Sequence, residues 1–158
     1  MPPDHAIRRL GPADLAIMRR LNEVFGEAFE DLSSYRNEPP SDEYLAAVLD
    51  KPHVAVLAAL RGAEVIGGLV AYELDKLERA RREIYIYDLA VNAADRRKGV
   101  ATALIRRLQE IAAERCAWAV FVQADYGDDA AVALYTKLGT REDVMHFDIA
   151  PAIAQDAT

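Results

Sequence analysis

Three consecutive cations, Arg96, Arg97 and Lys98, stand directly before a glycine in the stretch DRRKGVATALI. The residues that follow Gly99 have the apolar spacing of an amphipathic helix, so the cations lie at a helix N-terminus. Positive charge there opposes the helix dipole and costs roughly 0.3–1 kcal/mol per residue. A bound anion offsets this cost, because unpaired N–H groups and basic side chains both bind phosphate oxygens. The stretch therefore predicts a phosphate site, against the alternative of an exposed basic turn.

Charge is unevenly distributed in a chain whose net charge is −7. Residues 96–107 hold five bases and no acid, whereas residues 22–50 hold eight acids against one base. Residues 125–148 hold six acids against two bases. This pattern favours one site for an anion and another for a cation, against the alternative of solvated helix faces. The acidic balance argues against general nucleic-acid binding, which needs a basic surface.

Length and composition indicate a single globular domain. The 158 residues, 52% of them hydrophobic, suit one domain over residues 1–158 with a core at about 6–149 and a frayed C-terminal tail. No apolar run approaches the roughly 20 residues that cross a membrane. A single cysteine excludes an internal disulfide, and we expect a cytoplasmic protein. The three histidines share no metal-ligand spacing, so no metal site is expected.

The elements that must position these residues follow from hydrophobic periodicity and from turn and cap signals. A helix crossover between the strands at 84–91 and 119–123 predicts a parallel pair, and a hairpin at 53–74 predicts antiparallel neighbours. The fold class is therefore α/β (α+β), with a mixed sheet and helices on both faces. The predicted elements are a strand at 6–10, a helix from Pro12, a helix capped by Ser41, strands at 53–60, 65–74 and 84–91, a helix at 99–114, a strand at 119–123, a helix at 128–139 and a strand at 144–149.

Two signatures resemble those of the GCN5-related N-acetyltransferases, the GNAT superfamily. RRKGVATALI matches the pattern [QR]-x-x-G-x-[GA], with Arg96 first, Gly99 central and Ala101 last. AAVALYTKLG, at residues 130–139, matches the second signature, a helix with a tyrosine shortly before a Leu-Gly end. The stretches EIYIYDLAV, QADYGDDAAVALYTKLG and REDVMHFDI further resemble the aminoglycoside 3-N-acetyltransferases of the gentamicin-resistance type.

This resemblance implies the GNAT fold, a mostly antiparallel sheet in which two parallel strands splay apart. It also implies acetyl-CoA as the donor and a primary amine as the acceptor. The acceptor would be the 3-amino group of a deoxystreptamine aminoglycoside, a small polycation, and its acetylation would confer antibiotic resistance. The alternatives are a GNAT enzyme acting on a polyamine, another small amine or a protein lysine, and a non-catalytic acetyl-CoA-binding module. Homodimers are common in this family, and we expect one.

The resemblance also implies where the cofactor lies. The pyrophosphate would bind the loop before the helix, and the pantetheine arm would pair with the backbone of Leu89 and Val91. A backbone N–H near Leu89 or Ala90 would stabilise negative charge on the thioester oxygen. The expected cofactor-binding residues are Leu89, Ala90, Val91, Arg96, Arg97, Lys98, Gly99, Val100, Ala101 and Thr102.

The acceptor amine is mostly protonated at neutral pH, so the implied reaction needs a nearby carboxylate. Asp88 is the first candidate base and Glu83 the second, although Asp88 could instead bind the ammonium without moving a proton. Tyr135 occupies the family's tyrosine position and is the expected general acid, against the alternative of a packing role. The expected substrate-binding acids are Asp88, Asp125, Asp128, Asp129 and Asp148, of which Asp128 could simply cap its helix.

Overall fold

A computed structural model describes residues 2–153, and the chain divides into two compact units, residues 1–123 and 124–158. The sheet and most helices belong to the first unit. None of the helices in the described residues is long and apolar enough to span a bilayer. The elements in chain order are β1 (Ala6–Arg9), α1 (Leu15–Ala28), α2 (Leu32–Arg36), α3 (Asp42–Leu49), β2 (Val54–Arg61), β3 (Glu64–Asp75), β4 (Arg82–Val91), a short 3-10 helix (Ala93–Asp95), α4 (Val100–Glu114), β5 (Ala117–Val122) and α5 (Asp129–Leu138).

The first unit is built on a five-stranded sheet in the order β1-β2-β3-β4-β5. The first four strands pair antiparallel in sequence order. β4 and β5 pair parallel, because α4 connects them by a crossover. This arrangement confirms the predicted mixed, mostly antiparallel sheet and its single parallel pair.

Helices cover both faces of the sheet. On one face, the α1 residues Met18, Leu21 and Phe25 belong to a buried cluster with side chains of β2 and β3. The backbone of β3 approaches α1 so closely that a Cβ at Gly68 would lie 2.3 Å from a Leu21 methyl carbon, which explains the glycine. On the other face, α4 buries an apolar stripe that includes Leu104. The predicted two-sided layering is therefore confirmed.

Local signals account for most element boundaries. Ser41 caps α3 as predicted, because its Oγ accepts a hydrogen bond from the Tyr44 N–H at 3.1 Å. The helix expected from Pro12 begins instead at Leu15, because a turn closed by the Gly11 N–H and the Asp14 carboxylate at 2.7 Å precedes it. The short helix α2 was not predicted; the Asp31 carboxylate accepts from the Ser34 N–H and caps it.

The second unit contains α5 followed by an irregular segment. The predicted strand at 144–149 is wrong, since residues 140–153 form no regular structure. A strand exists only through ladder hydrogen bonds to a neighbour, and this segment has none within the described residues. Its alternating apolar residues, such as Phe147, are exposed. The tail predicted to fray lies partly outside the described residues, which end at 153.

Candidate active site

The loop before α4 has the geometry of an anion site. The first hydrogen bond within α4 runs from the Ala103 N–H to the Gly99 carbonyl at 3.0 Å. The N–H groups of residues 100–102 precede this bond and have no partner inside the helix. Arg97 and Gly99 both have left-handed backbone conformations, with φ of 62° and 82°. A Cβ at Gly99 would meet nothing within 4 Å, so open space adjoins the free N–H groups.

The three cations of the loop have different environments. Arg96 is tied to the end of β4, because its Nε donates to the Val91 carbonyl at 3.2 Å. Lys98 lies 3.8 Å from an Asp95 carboxylate oxygen. Arg97 forms no ion pair within the described residues and is exposed. Arg97 is therefore the cation most available to an anionic ligand, and Arg96 helps to hold the loop in place.

Asp95, directly before the three cations, is one of the few buried charged residues, with 4% of its surface exposed. Its Oδ1 accepts from the Arg61 guanidinium at 2.9 Å. Arg61 ends β2, so this ion pair fastens the loop to the hairpin turn and offsets repulsion among the cations. The sequence offers little sign of this role, because Asp95 and Arg61 are 34 positions apart.

A β-bulge in β4 decides which way Asp88 points. Directly opposed residues share a face of the sheet, and Tyr72 opposes Tyr85 while Val70 opposes Asp88. Val70 and Tyr72 are two positions apart and share a face, so Tyr85 and Asp88 share it too, although three positions separate them. The register skips Tyr87, which is the extra residue of the bulge. Without this bulge, Asp88 would point to the opposite face.

β4 extends beyond the end of β5. Their parallel pairing ends at Ile86 and Val122, whereas β4 continues to Val91. Residues 87–91 therefore have one edge without a neighbouring strand within the described residues. This edge includes Leu89, Ala90 and Val91, the predicted pantetheine contacts, and an extended ligand could pair with it as an added strand. β4 thus offers the free edge that the predicted splay of the parallel pair requires, and the individual contacts stay predictions.

Asp88 lines a cavity of about 220 Å³ between α1, α3 and the sheet. The other lining residues are apolar, aromatic or uncharged and include Phe25, Tyr44 and Tyr72. The Asp88 side chain forms no hydrogen bond or ion pair within residues 2–153. Burial raises the pKa of this carboxyl above its usual range. The site therefore presents a half-buried carboxylate whose missing counter-charge a protonated amine can supply.

The negative charge of Asp88 acts on two tyrosines, Tyr35 and Tyr72. Burial raises the pKa of Tyr35 to about 12, and the negative charge of Asp88 adds to the effect. The pKa of Tyr72 is raised by the same two causes in the same order. Both hydroxyls therefore stay protonated at neutral pH and add no second negative charge to that of Asp88.

Glu83 does not line this cavity. It lies near the start of β4, opposite Leu74, on the same face of the sheet as Tyr85. The first unit thus brings Asp88 and the unpaired β4 edge together and leaves the second candidate base at the other end of the strand. Which carboxylate takes a proton stays a prediction.

The remaining predicted residues belong to the second unit. Asp128 caps α5, because its Oδ1 accepts a hydrogen bond from the Ala131 N–H at 3.2 Å. This is the capping role that the sequence offered as an alternative to substrate binding. Asp125 and Asp129 are exposed beside this cap, and Asp148 pairs with His146 at 2.9 Å. Burial raises the pKa of Tyr135, with a smaller contribution from Asp128, so its phenol holds a proton. Its role as general acid and the substrate contacts of these acids stay predictions.

Known proteins share this fold over nearly the whole chain. A crystal structure of an aminoglycoside acetyltransferase from an uncultured soil metagenomic sample has 49% sequence identity, covers 94% of this chain and 99% of its own, and has a TM-score of 0.91. A second soil metagenomic aminoglycoside acetyltransferase, crystallised with sisomicin, has 31% identity over 94% and 97% of the chains and a TM-score of 0.86. A ribosomal-protein-alanine N-acetyltransferase from Brucella melitensis, at 22% identity over 94% and 99% of the chains and a TM-score of 0.72, shares the fold.

No curated protein sequence matches the chain. The family model described as the acetyltransferase (GNAT) family matches residues 18–140, from α1 to the end of α5. This range includes the loop before α4, the bulged strand β4 and the Asp88 cavity. The chain therefore belongs to the GNAT family of acetyltransferases.

Proposed function

We propose that this protein transfers the acetyl group of acetyl-CoA to the 3-amino group of a deoxystreptamine aminoglycoside and so confers resistance to the antibiotic. The observation that carries the proposal is the half-buried carboxylate of Asp88, which lacks a counter-charge and faces a cavity beside the unpaired edge of β4. The 49% identity to an aminoglycoside acetyltransferase supports the substrate class. A relative crystallised with sisomicin supports it further.

The donor fits the loop before α4. The N–H groups of residues 100–102, the exposed cation of Arg97 and the open space at Gly99 suit the diphosphate of coenzyme A. Acetyl-CoA supplies the acetyl group as a thioester, which is activated toward nitrogen nucleophiles. The free N–H groups along residues 87–91 are the donors that an extended pantetheine arm and a thioester oxygen need.

Asp88 acts on the acceptor. Its carboxylate attracts the ammonium form of the amine, because it has no other cation to pair with among the described residues. Asp88 takes one proton from that ammonium and frees the lone pair, which attacks the acetyl carbon. The new C–N bond replaces the C–S bond, and coenzyme A leaves as a thiol with the second proton that the nitrogen loses. The raised pKa of Asp88 makes the carboxylate a stronger base than a solvated aspartate.

The test is a coenzyme A release assay with acetyl-CoA and four amines: sisomicin, gentamicin, spermidine and a lysine peptide. We expect turnover with the two aminoglycosides, and NMR of the product should place the acetyl group on the 3-amino nitrogen. Asp88→Asn should bind coenzyme A normally but turn over slowly. Glu114→Gln, which changes an exposed carboxylate at the far end of α4, is the matched control and should behave as the wild type.

Each other outcome has a defined meaning. Turnover of spermidine or the peptide without turnover of aminoglycosides would contradict the proposed substrate. Acetylation at a different amino group would contradict only the regiochemistry. Coenzyme A binding without turnover of any amine would indicate a non-catalytic module. Expression in a susceptible bacterium should raise the inhibitory concentration of gentamicin, and Asp88→Asn should abolish that increase.

A further inference from the structure

Four aromatic rings form a continuous strip on the sheet face that carries Asp88. Tyr72 of β3 contacts Tyr87 of β4 edge to face, with ring centroids 5.9 Å apart. Tyr87 contacts Tyr85 in the same way at 5.8 Å, and Tyr85 stacks on Phe121 of β5 at 4.8 Å with an interplanar angle of 7°. We call Tyr72, Tyr85, Tyr87 and Phe121 the aromatic strip.

The aromatic strip begins inside the acceptor cavity and ends in solvent. Tyr72 lines the cavity together with Asp88. Tyr87 is 64% exposed and Phe121 is 37% exposed, so ring faces are available to a ligand that projects from the cavity. Tyr87 shares the face of Tyr85 by simple alternation along β4, and the bulge adds Asp88 to the same face. The bulge therefore brings the carboxylate to the side of the sheet that carries the aromatic strip.

A second carboxylate shares this face. Glu83 lies two positions before Tyr85 on β4 and therefore on the same side of the sheet. It forms no ion pair within the described residues. Five positions separate Glu83 from Asp88, and the bulge absorbs one of them. At about 3.3 Å per residue, the two backbone positions lie about 13 Å apart, with tyrosine rings between them.

We propose that the aromatic strip and Glu83 form a second subsite for the acceptor, which selects a polycationic amine built on more than one ring. This inference rests on the proposed function. One ammonium group pairs with Asp88, a neighbouring cationic ring lies over Tyr87 and Tyr85, and a second ammonium group pairs with Glu83. Tyrosine faces attract cations and pack against apolar ring faces, and the two carboxylates match charges that a linear monoamine lacks.

The test compares sisomicin, a multi-ring polycation, with 2-deoxystreptamine, a single-ring diamine. Tyr87→Leu keeps an apolar side chain and removes the ring; it should raise the KM for sisomicin about 2–5-fold, the usual effect of one exposed cation–π contact. Tyr87→Phe keeps the ring and should restore the wild-type KM. Neither variant should change the KM for acetyl-CoA or the dissociation constant of 2-deoxystreptamine, measured by calorimetry with coenzyme A present.

Glu83→Gln should raise the KM for sisomicin about 2–5-fold at low salt, and the difference should disappear near 0.5 M salt, as for an exposed ion pair. Two matched controls lie outside the subsite. Trp118→Leu removes an exposed aromatic ring that contacts Arg81 instead of the aromatic strip. Glu114→Gln removes an exposed carboxylate on α4. Both should leave the KM for sisomicin unchanged.

The outcomes separate this inference from the proposed function. An unchanged KM for sisomicin in Tyr87→Leu and Glu83→Gln, in an enzyme that acetylates sisomicin, would overturn the subsite alone. An equal weakening of sisomicin and 2-deoxystreptamine would also overturn it, because it would indicate a general structural effect. A change of oligomeric state in Tyr87→Leu would show that a second copy covers the aromatic strip. Absence of turnover with any amine would remove the proposed function and the subsite together.

Discussion

Substitution of Gly99 separates backbone strain from ligand binding. Gly99 has a φ of 82°, and a Cβ added there would meet no atom within 4 Å. An alanine therefore pays only the left-handed backbone cost, about 1–2 kcal/mol. For a chain of 158 residues, this cost corresponds to a fall in Tm of about 2–8 °C. Gly62 has a φ of 58° and equally open surroundings, so Gly62→Ala should lower the free energy of unfolding by a similar amount.

The two glycines should differ in coenzyme A binding. Gly99→Glu adds a carboxylate beside the N–H groups that we assign to the diphosphate. One pair of like charges 4 Å apart repels by about 1 kcal/mol in water and about 4 kcal/mol near a protein surface. We therefore expect the Kd for coenzyme A to rise about 5–1,000-fold in Gly99→Glu. Gly99→Gln has the same bulk without the charge and should show a smaller rise.

The assay is titration calorimetry with coenzyme A, paired with thermal unfolding of each variant. Gly62→Ala should lose stability and retain the wild-type Kd. The reasoning is refuted if Gly99→Glu unfolds like Gly62→Ala yet binds coenzyme A as tightly as the wild type. Equal Kd values for Gly99→Glu and Gly99→Gln would show that the site does not receive a negative charge.

Two further variants test the site and the framework that holds it. Asp88→Asn should lower kcat or raise the KM for the amine and also stabilise the protein by about 0.5–2 kcal/mol at neutral pH, because it removes an unpaired buried charge. The pKa of Asp88 is raised above its ordinary 3.8, so the folded state binds this proton more tightly than the unfolded state does. In urea titrations, the stability that Asp88→Asn gains over the wild type should therefore be present above the raised pKa and fade as the pH falls toward 3.8. Wild-type kinetics would contradict both roles of Asp88. Glu73→Gln breaks a two-point ion pair to Arg115 at 2.8 and 2.9 Å. In the same titration it should lower the free energy of unfolding by about 2–3 kcal/mol, less than for a fully buried pair, because the Arg115 side chain is 35% exposed. The Kd of Glu73→Gln for coenzyme A should equal that of the wild type. A higher Kd would show that the ion pair also positions the loop before α4.

Elements with local signals were predictable from the sequence. The loop at residues 96–99 and the helix after it depend on neighbouring residues, because cap geometry, helix periodicity and free N–H groups are set within a few positions. Ser41 and Asp128 cap helices for the same reason. The lack of a strand at 144–149 was not predictable, because the alternating pattern describes a possible strand and says nothing about whether a partner strand is present.

The ion pair between Asp95 and Arg61 could not be predicted from the sequence either. Each residue by itself resembles an ordinary surface charge, and only the approach of the hairpin turn to the loop buries Asp95. Contacts between residues far apart in the chain depend on strand order and register, which local propensity does not determine.

The sequence by itself determined the family, the mixed sheet and the position of the loop before α4, because these depend on residue types at short spacing. Only the tertiary structure decided the direction of Asp88. Strict alternation from the buried Ile84 and Ile86 places Asp88 on their face of the sheet, away from the cavity between α1, α3 and the sheet. The pairing of β4 with β3 skips Tyr87, and this single extra residue turns the carboxylate to the other face. A bulge is a property of two paired strands, so no single segment of the chain specifies it.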